Sequence, residues 1–153
     1  DEIVLVSSSG NCVVFNENDV RVMGRTASGV KGMKLDDDDF VIGMEKASDG
    51  RYLLCVTENG YGKRSEIEEY RKTKRGAKGV ITYKVSQKTG KIVDIKMVEE
   101  DDDVMLVSTD GIFIRLNVKD IPVQGRSTQG VKLMRIDGDD IRVSSIARIK
   151  EEE

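Results

Sequence analysis

The sequence lacks residue types on which whole classes of function depend. None of its 153 residues is histidine, which excludes Ser-His-Asp and Cys-His triads, His-ligated zinc and an imidazole switch near neutral pH. The two cysteines, Cys12 and Cys55, have no C-x-x-C spacing and give neither a metal site nor a disulfide framework. No apolar run approaches the roughly 18 residues of a membrane span, and no signal-peptide pattern is present. We therefore expect no membrane association, no metal and no cofactor.

Residues that favour helices are also few. The chain has 7 Leu and 4 Ala against 19 Val and 13 Ile, and it has no tryptophan. Because β-branched side chains favour extended strands, this composition argues against a helical bundle. We predict a globular all-β protein whose two cysteines are buried strand residues in a reducing cytoplasm. Since the chain begins with Asp1 and a strand-like run starts at Ile3, we expect it to be a piece of a longer protein.

An internal repeat organises the chain. Three apolar runs each end in a glycine turn, and the turn glycines are Gly10, Gly60 and Gly111. A Gly-Val pair follows each turn glycine by 19 residues, and an arginine follows it by 15 residues: Arg25, Arg75 and Arg126. Several matched columns in one register indicate a repeat of about 50 residues. We assign the repeats to 1–48, 49–100 and 101–150, with an acidic tail beginning at 151–153.

Each repeat is predicted to form four short antiparallel strands. Asn59-Gly60 and Asp110-Gly111 are dipeptides typical of the type I′ turn, in which both central residues take positive φ, so the first two strands form a hairpin. The predicted third strands are Val30–Leu35, Val80–Val85 and Val131–Ile136, and the predicted fourth strands are Phe40–Met44, Ile92–Val98 and Ile141–Ile149. Asp19–Val22 and Ile67–Tyr70 are expected to be irregular. This pattern predicts a propeller-like all-β fold of three four-stranded blades.

Three blades are too few to close a ring, since propellers usually contain four to eight. Two sheet edges would then stay open, and an uncovered edge invites pairing with another chain. We therefore expect further blades of the same subunit to cover these edges, with self-association of the chain as the alternative.

Basic residues are concentrated in one part of each repeat. The windows 21–34, 71–84 and 122–135 hold 13 of the 25 Lys and Arg residues and none of the 28 acidic residues. Because ordinary solubility charge mixes both signs, this separation predicts a track that neutralises phosphates, with neighbouring glycines that let the backbone approach. The predicted DNA-binding residues of the windows are Arg21, Arg25, Lys31, Lys34, Arg71, Lys72, Lys74, Arg75, Lys78, Lys84, Arg126, Lys132 and Arg135. Lys63, Arg64 and Arg115 are predicted as further contacts.

Binding of this kind is predicted to be independent of base sequence and to weaken steeply with salt. Seven aromatic residues offer little material for base stacking, which disfavours readers of single strands or RNA. The acidic runs Asp36–Asp39, Asp101–Asp103 and Asp137–Asp140 lack the spaced ligands of an EF-hand. They are predicted to be solvated turns rather than calcium sites.

Four segments of this sequence resemble the C-terminal domain of the A subunits of bacterial DNA gyrases: Gly24–Gly32, Asn59–Arg64, Arg75–Val80 and Gly125–Val131. The resemblance extends over the whole chain. It implies a β-pinwheel, a propeller-like disc usually of six blades whose perimeter wraps duplex DNA, of which this chain would be the last three. The family's Gln-Arg-Arg-Gly-Gly-Lys-Gly box has only a degenerate counterpart here, Thr73–Gly79, so we expect the true box in the other half.

The same resemblance implies a role within a larger enzyme. In type IIA topoisomerases of this family, ATP-driven strand passage introduces negative supercoils, and the cleavage tyrosine and ATPase parts lie in regions absent from this chain. We therefore expect no catalytic residue and no cofactor here. The implied partners are double-stranded DNA and the gyrase B subunit of a cytoplasmic heterotetramer. Two alternatives stay open: the C-terminal domain of topoisomerase IV, and a protein-interaction propeller without a nucleic-acid role.

Overall fold

A computed structural model describes residues 2–16, 39–70 and 80–150, and these residues form an all-β structure. The strands are β1 (Glu2–Ser7), β2 (Asn11–Asn16), β3 (Val41–Lys46), β4 (Tyr52–Thr57), β5 (Tyr61–Glu66), β6 (Val80–Ile81), β7 (Ile92–Val98), β8 (Asp103–Ser108), β9 (Phe113–Asn117), β10 (Val131–Lys132) and β11 (Val143–Ile149). Three 3₁₀ turns accompany them: Ala47–Asp49, Ile67–Tyr70 and Val118–Asp120. No helix within the described ranges is long and apolar enough to cross a membrane.

The described strands form three antiparallel sheets, and neighbouring repeats exchange a strand. The sheet orders are β3-β1-β2-β6, β10-β5-β4-β7 and β11-β8-β9. Strand β6 comes from the second repeat but pairs in the first sheet, where Val80 lies opposite Cys12. Strand β10 comes from the third repeat but pairs in the second sheet, where Lys132 lies opposite Tyr61. The all-β propeller-like class is confirmed, but the expectation that each repeat supplies all four strands of its own sheet is wrong.

The exchanged strands are shorter than predicted. Strands β6 and β10 are each two residues long and end at Ile81 and Lys132. The remaining residues of the predicted strands, 82–85 and 133–136, therefore lie outside the observed strands. Ile67–Tyr70, expected to be irregular, forms a 3₁₀ turn. The predicted elements Asp19–Val22 and Val30–Leu35 lie outside the described residues. The fourth strand of the second repeat, β7, has the predicted bounds.

The hairpin turns use a different geometry from the one predicted. Gly60 has a φ of 88° and Gly111 a φ of 85°, but no non-glycine residue in the described ranges has positive φ. Asn59 and Asp110 therefore cannot occupy the first position of a type I′ turn. Instead, the N–H of Gly60 donates to the carbonyl of Thr57 at 3.1 Å, which closes a three-residue loop typical of a type I turn followed by a glycine bulge. The dipeptide identified the hairpin but not its turn type.

Two apolar cores separate the three sheets, and strand β4 contributes to both. Every residue of β4 is buried. Leu53 and Cys55 pack in the core shared with the first sheet, whereas Leu54 and Val56 pack in the core shared with the third. Successive side chains of a strand point to opposite faces, so a strand covered on both sides needs a continuous apolar run. The two cysteines are free and buried, and burial raises the pKa of Cys55 to about 11.

Strands β3, β7 and β11 lie side by side at one end of the three sheets, called here the inner edge. Gly43 approaches the side chain of Ile95 so closely that a Cβ at position 43 would overlap it. Carboxylates join the strands: Glu45 Oε1 accepts a hydrogen bond from the Met97 N–H at 3.0 Å, and Asp94 Oδ2 accepts one from the Ile146 N–H at 2.8 Å. These bonds use backbone donors that a free edge strand would leave unpaired.

Candidate nucleic-acid interface

Strand exchange places part of the predicted basic track at the outer edge, the end of the sheets opposite β3 and β7. The exchanged strands β6 and β10 form this edge in the first and second sheets. Lys132 lies on β10 and is exposed, and Lys84 follows β6 and is also exposed. Within the described residues, neither lysine forms an ion pair with an acid. Both ammonium groups are therefore available to an anionic ligand.

The outer edge is continuous between the first two sheets. The Lys84 N–H donates to the Thr128 carbonyl at 2.9 Å, and the Tyr83 hydroxyl donates to the Gln129 carbonyl. The chain after β6 therefore lies against the loop that precedes β10. Arg126 belongs to this loop and is partly buried. Lys84, Arg126 and Lys132 are thus carried by one connected stretch of the surface.

Tyr61 lies between two lysines at this edge. Lys132 Nζ is 5.6 Å from the centroid of the Tyr61 ring, and Lys88 Nζ is 5.4 Å from the same centroid. A cation over an aromatic face at this distance is weakly attracted, which orders the lysine and leaves its donors free. Lys88 was missed at the sequence level because it lies outside the acid-free windows. No repeated column marks it, and only the fold brings it beside Lys132.

Lys63, predicted as a DNA contact, is instead an internal cation. Its side chain is fully buried, and Nζ donates to the carbonyls of Gly125 at 2.6 Å and Arg126 at 2.7 Å and to Thr128 Oγ1 at 2.7 Å. All three ammonium protons are thereby used. Burial is the main reason that the pKa of Lys63 falls to about 8, and the charge of Arg126 adds to it. Lys63 therefore fixes the loop that carries Arg126 and does not face solvent.

Arg64, also predicted as a DNA contact, is likewise an internal residue. Its side chain is 5% exposed, Nε donates to the Ile121 carbonyl at 2.7 Å, and Nη2 donates to the Lys119 carbonyl at 3.3 Å. The guanidinium carbon lies 4.4 Å from the centroid of the Tyr52 ring. A backbone hydrogen bond adds to this contact between two repeats: the Arg64 N–H donates to the Pro122 carbonyl at 3.2 Å. A guanidinium enclosed in this way holds two repeats together and cannot reach DNA.

Arg115 and Arg135 are exposed, but each is paired with an acid. Arg115 Nε lies 2.8 Å from Asp103 Oδ2, and Arg135 Nε lies 3.1 Å from Asp137 Oδ1. Exposed pairs of this kind contribute about 0–1 kcal/mol and exchange readily.

Of the predicted contacts in the described ranges, Lys84, Arg126 and Lys132 share the outer edge, Lys63 and Arg64 are internal, and Arg115 and Arg135 are acid-paired. The remaining predicted residues lie outside the described residues: Arg21, Arg25, Lys31, Lys34, Arg71, Lys72, Lys74, Arg75 and Lys78.

Acidic residues gather around a cleft of about 600 Å³. The turn 99–103 between β7 and β8 lines it, together with Arg51, Arg115 and Lys119. Asp102 is buried there and accepts hydrogen bonds from Arg148 Nε at 2.7 Å and from the Glu99 N–H at 2.8 Å. Throughout the described parts of the chain, no three His, Cys, Asp or Glu residues are grouped so that they could hold a metal ion. The acidic turn 99–103 thus has internal cationic partners.

The sequence matches the family described as DNA gyrase C-terminal domain, beta-propeller, in three segments: residues 1–48, 51–99 and 102–147. It is 49% identical over 150 residues to the DNA gyrase A protein of Ureaplasma parvum serovar 3, covering 98% of this chain and 18% of that protein. A solved DNA gyrase A C-terminal domain matches with a TM-score of 0.87 and 33% identity, covering 97% of this chain and 50% of that one. A solved C-terminal domain of DNA topoisomerase IV shares the fold, with a TM-score of 0.85 and 24% identity over 98% of this chain and 47% of that one. The chain thus spans less than a fifth of its curated relative and half of the solved gyrase domain.

Proposed function

Because the chain belongs to the DNA gyrase C-terminal domain family, we propose that it binds duplex DNA along the outer edge that carries Lys84, Arg126 and Lys132. Binding is to the phosphate backbone and is independent of base sequence. In the full-length protein, this edge would help to wrap DNA for ATP-dependent negative supercoiling in the cytoplasm. Cleavage and ATP hydrolysis would belong to other parts of the enzyme, which includes the gyrase B subunit.

One observation carries most of this proposal. The described strands of the acid-free segments, β6 and β10, are the elements that neighbouring repeats exchange, and the exchange puts them at the outer edge. Lys84 and Lys132 have no acidic partner among the described residues, whereas Arg115 and Arg135 each have one. Free cations in a row release counterions when they meet phosphates, which is the main source of affinity in backbone binding.

Two further features support contact with a phosphate backbone. Tyr61 keeps Lys88 and Lys132 close together, each within 5.6 Å of its ring centroid. Lys63 fixes the main chain of the loop at Gly125 and Arg126, which reduces the entropy lost when that loop binds a ligand. We propose the gyrase role over the topoisomerase IV role because the identities are 49% and 33% with gyrase A proteins and 24% with topoisomerase IV.

A mobility-shift titration of linear duplex across a range of salt tests the proposal. The double variant Lys84→Glu/Lys132→Glu is compared with Lys46→Glu/Lys150→Glu, which reverses two exposed charges on and next to the inner-edge strands β3 and β11. The first variant should lose affinity for all sequences alike. Its log–log salt slope should fall by about 0.9 for each phosphate contact removed.

The matched control should keep most of its affinity and its salt slope. Equal losses in both variants would mean that net charge, and not the outer edge, determines binding. A wild-type chain whose binding is flat with salt would contradict the proposal and favour the protein-interaction propeller.

A further inference from the structure

One side of the loop that precedes β10 is held by the second repeat through main-chain carbonyls. Lys63 Nζ donates to the Gly125 carbonyl at 2.6 Å and to the Arg126 carbonyl at 2.7 Å. Ser65 Oγ donates to the Gln124 carbonyl at 2.7 Å. Three successive carbonyls of the loop therefore point toward β5, the strand that carries both donors.

The N–H groups of the same peptide units point the other way. A trans peptide directs its C=O and its N–H in opposite directions, and no described peptide bond is cis. The N–H groups of Gly125, Arg126 and Ser127 therefore face away from β5. Among the residues that the structure describes, none of these three donors has a hydrogen-bond acceptor, and Gly125 and Ser127 are exposed. Three adjacent main-chain donors are thus open to a ligand.

Main-chain donors on either side of this segment are already used. The Gln124 N–H donates to the Arg64 carbonyl at 2.9 Å, and the N–H groups of Leu133 and Met134 donate to the Gly60 carbonyl at 2.8 and 3.1 Å. The three open donors therefore belong to a loop that is anchored at both ends. Such a loop loses little conformational entropy when it binds a ligand.

Lys63 also gives the peptide units of this loop a favourable polarity. Its ammonium group lies on the carbonyl side of the loop, where its third proton goes to Thr128 Oγ1 at 2.7 Å, and the side chain is fully buried. A phosphate on the N–H side would therefore face a buried cation across aligned peptide dipoles. Hydrogen bonds in such a chain polarise and strengthen one another, and oriented backbone amides attract anions. Lys63 thus prepares the loop for an anion that it does not touch.

We propose that the N–H groups of Gly125, Arg126 and Ser127 bind a phosphate of the DNA backbone and that Lys63 is the positioning residue that orients them. This site rests on the proposed function, to which it adds main-chain donors beside the cationic side chains. Backbone N–H groups are regular contacts to phosphate oxygens in protein–DNA complexes. The loop continues into β10, which carries Lys132, so the site lies on the outer edge.

Amide NMR spectra of the chain, recorded during a titration with a short linear duplex, test the site directly. The amide protons of Arg126 and Ser127 should move downfield, because a charge-assisted hydrogen bond to phosphate replaces a bond to water. The Gln124 amide, which already donates to the Arg64 carbonyl, is the internal control and should stay in place. Unmoved Arg126 and Ser127 amides in a chain that binds duplex would overturn this inference alone. A chain that binds no duplex would overturn the proposed function as well.

Glu69 allows a test in which the expected result is a gain of affinity. Its side chain is exposed, and its Oε1 would lie 3.9 Å from a Cβ placed on Gly125, so the carboxylate repels a phosphate at this loop. Glu69→Gln should tighten duplex binding by about two- to fivefold, the effect of removing an exposed like charge. Asp139→Asn makes the same change of net charge at an exposed turn and should have a smaller effect. Equal gains would contradict a phosphate at Gly125.

The role of Lys63 predicts a pH dependence of DNA binding. An ammonium group has three protons for its three acceptors, and the neutral amine has only two. Since burial lowers the pKa of Lys63 to about 8, the loop loses one of these bonds as the pH rises through 8. The described ionisable groups that face Lys63 are Cys55, Tyr83, Glu69 and Arg126. Burial raises the pKa of Cys55 to about 11 and also raises that of Tyr83, so neither the thiol nor the phenol ionises near pH 8.

Duplex affinity measured across this pH range separates positioning from a purely structural role. Wild-type affinity should fall as the pH rises through 8. Lys63→Met should weaken binding about tenfold, the effect of losing charge-assisted hydrogen bonds, and should abolish the pH dependence. Lys132→Met, which removes an exposed lysine of the same edge, should weaken binding and keep the pH dependence. A fall in affinity that persists in Lys63→Met would overturn the role of Lys63.

Discussion

Arg64 Nε donates a 2.7 Å hydrogen bond to the carbonyl of Ile121, which lies 57 residues later and in the next repeat. A basic residue of a Gly-Lys-Arg run is thus an internal part of a joint between repeats. The same guanidinium stacks on Tyr52 at 4.4 Å. Joints of this kind, rather than any single sheet, hold successive repeats in register.

Replacing Arg64 should therefore destabilise the chain strongly. Arg64→Met leaves the buried Ile121 carbonyl without its donor and removes the part-buried bond to the Lys119 carbonyl, and a buried unsatisfied acceptor costs about 1–3 kcal/mol. We expect the free energy of unfolding in urea to fall by about 2–4 kcal/mol. Arg115→Met, in the same column but exposed, should change it by less than about 1 kcal/mol. Similar losses in both variants would contradict the structural difference between them.

The turn glycines offer a second matched pair. Gly60→Ala and Gly111→Ala both place an L-residue at positive φ, which costs roughly 1–2 kcal/mol in either turn. Only at Gly60 does the new methyl group also overlap the Met134 carbonyl. Gly60→Ala should lower the thermal midpoint clearly more than Gly111→Ala. Equal shifts would show that the contact with the next repeat contributes little.

Asp39 should make the chain acid-sensitive. Burial alone would raise the pKa of Asp39, but hydrogen bonds from Ser9, Ser7 and Ser8 outweigh it and lower the pKa from 3.8 to about 2. The folded state therefore binds this proton less readily than the unfolded state, so the ionised Asp39 carboxylate raises the free energy of unfolding. This contribution is complete above pH 4 and is lost as the pH falls towards 2. Asp39→Asn should flatten this part of a stability–pH curve, whereas Asp140→Asn, at an exposed turn, should leave it unchanged.

Lys63 should give a second rise in stability with pH, in alkaline solution. The pKa is about 8 in the folded chain and 10.5 for an ordinary lysine, so the unfolded state binds more protons between these values. The cost of burying the charge is fully present below pH 8 and disappears as the pH rises to 10.5. Stability contributed by this group therefore rises across that window. Lys63→Met should remove this rise, whereas Lys132→Met should keep it.

The sequence alone determined the repeat, the hairpins, the identity of most strands and the burial of both cysteines. Each of these depends on local patterns, such as the continuous apolar run of β4 or a glycine at a turn. Turn type was the exception, because Asn59-Gly60 is compatible with more than one hairpin geometry.

Only the tertiary structure decided which sheet each third strand joins and which basic residues face solvent. Val80 pairs with Cys12 of the preceding repeat, a choice between chemically similar edges that no local pattern encodes. Lys63 and Lys132 carry the same charge, yet one is enclosed by three oxygen acceptors from the following repeat and the other is exposed. The acceptors are brought there by the exchanged strand, so the fate of each cation depends on contacts between residues more than 60 positions apart.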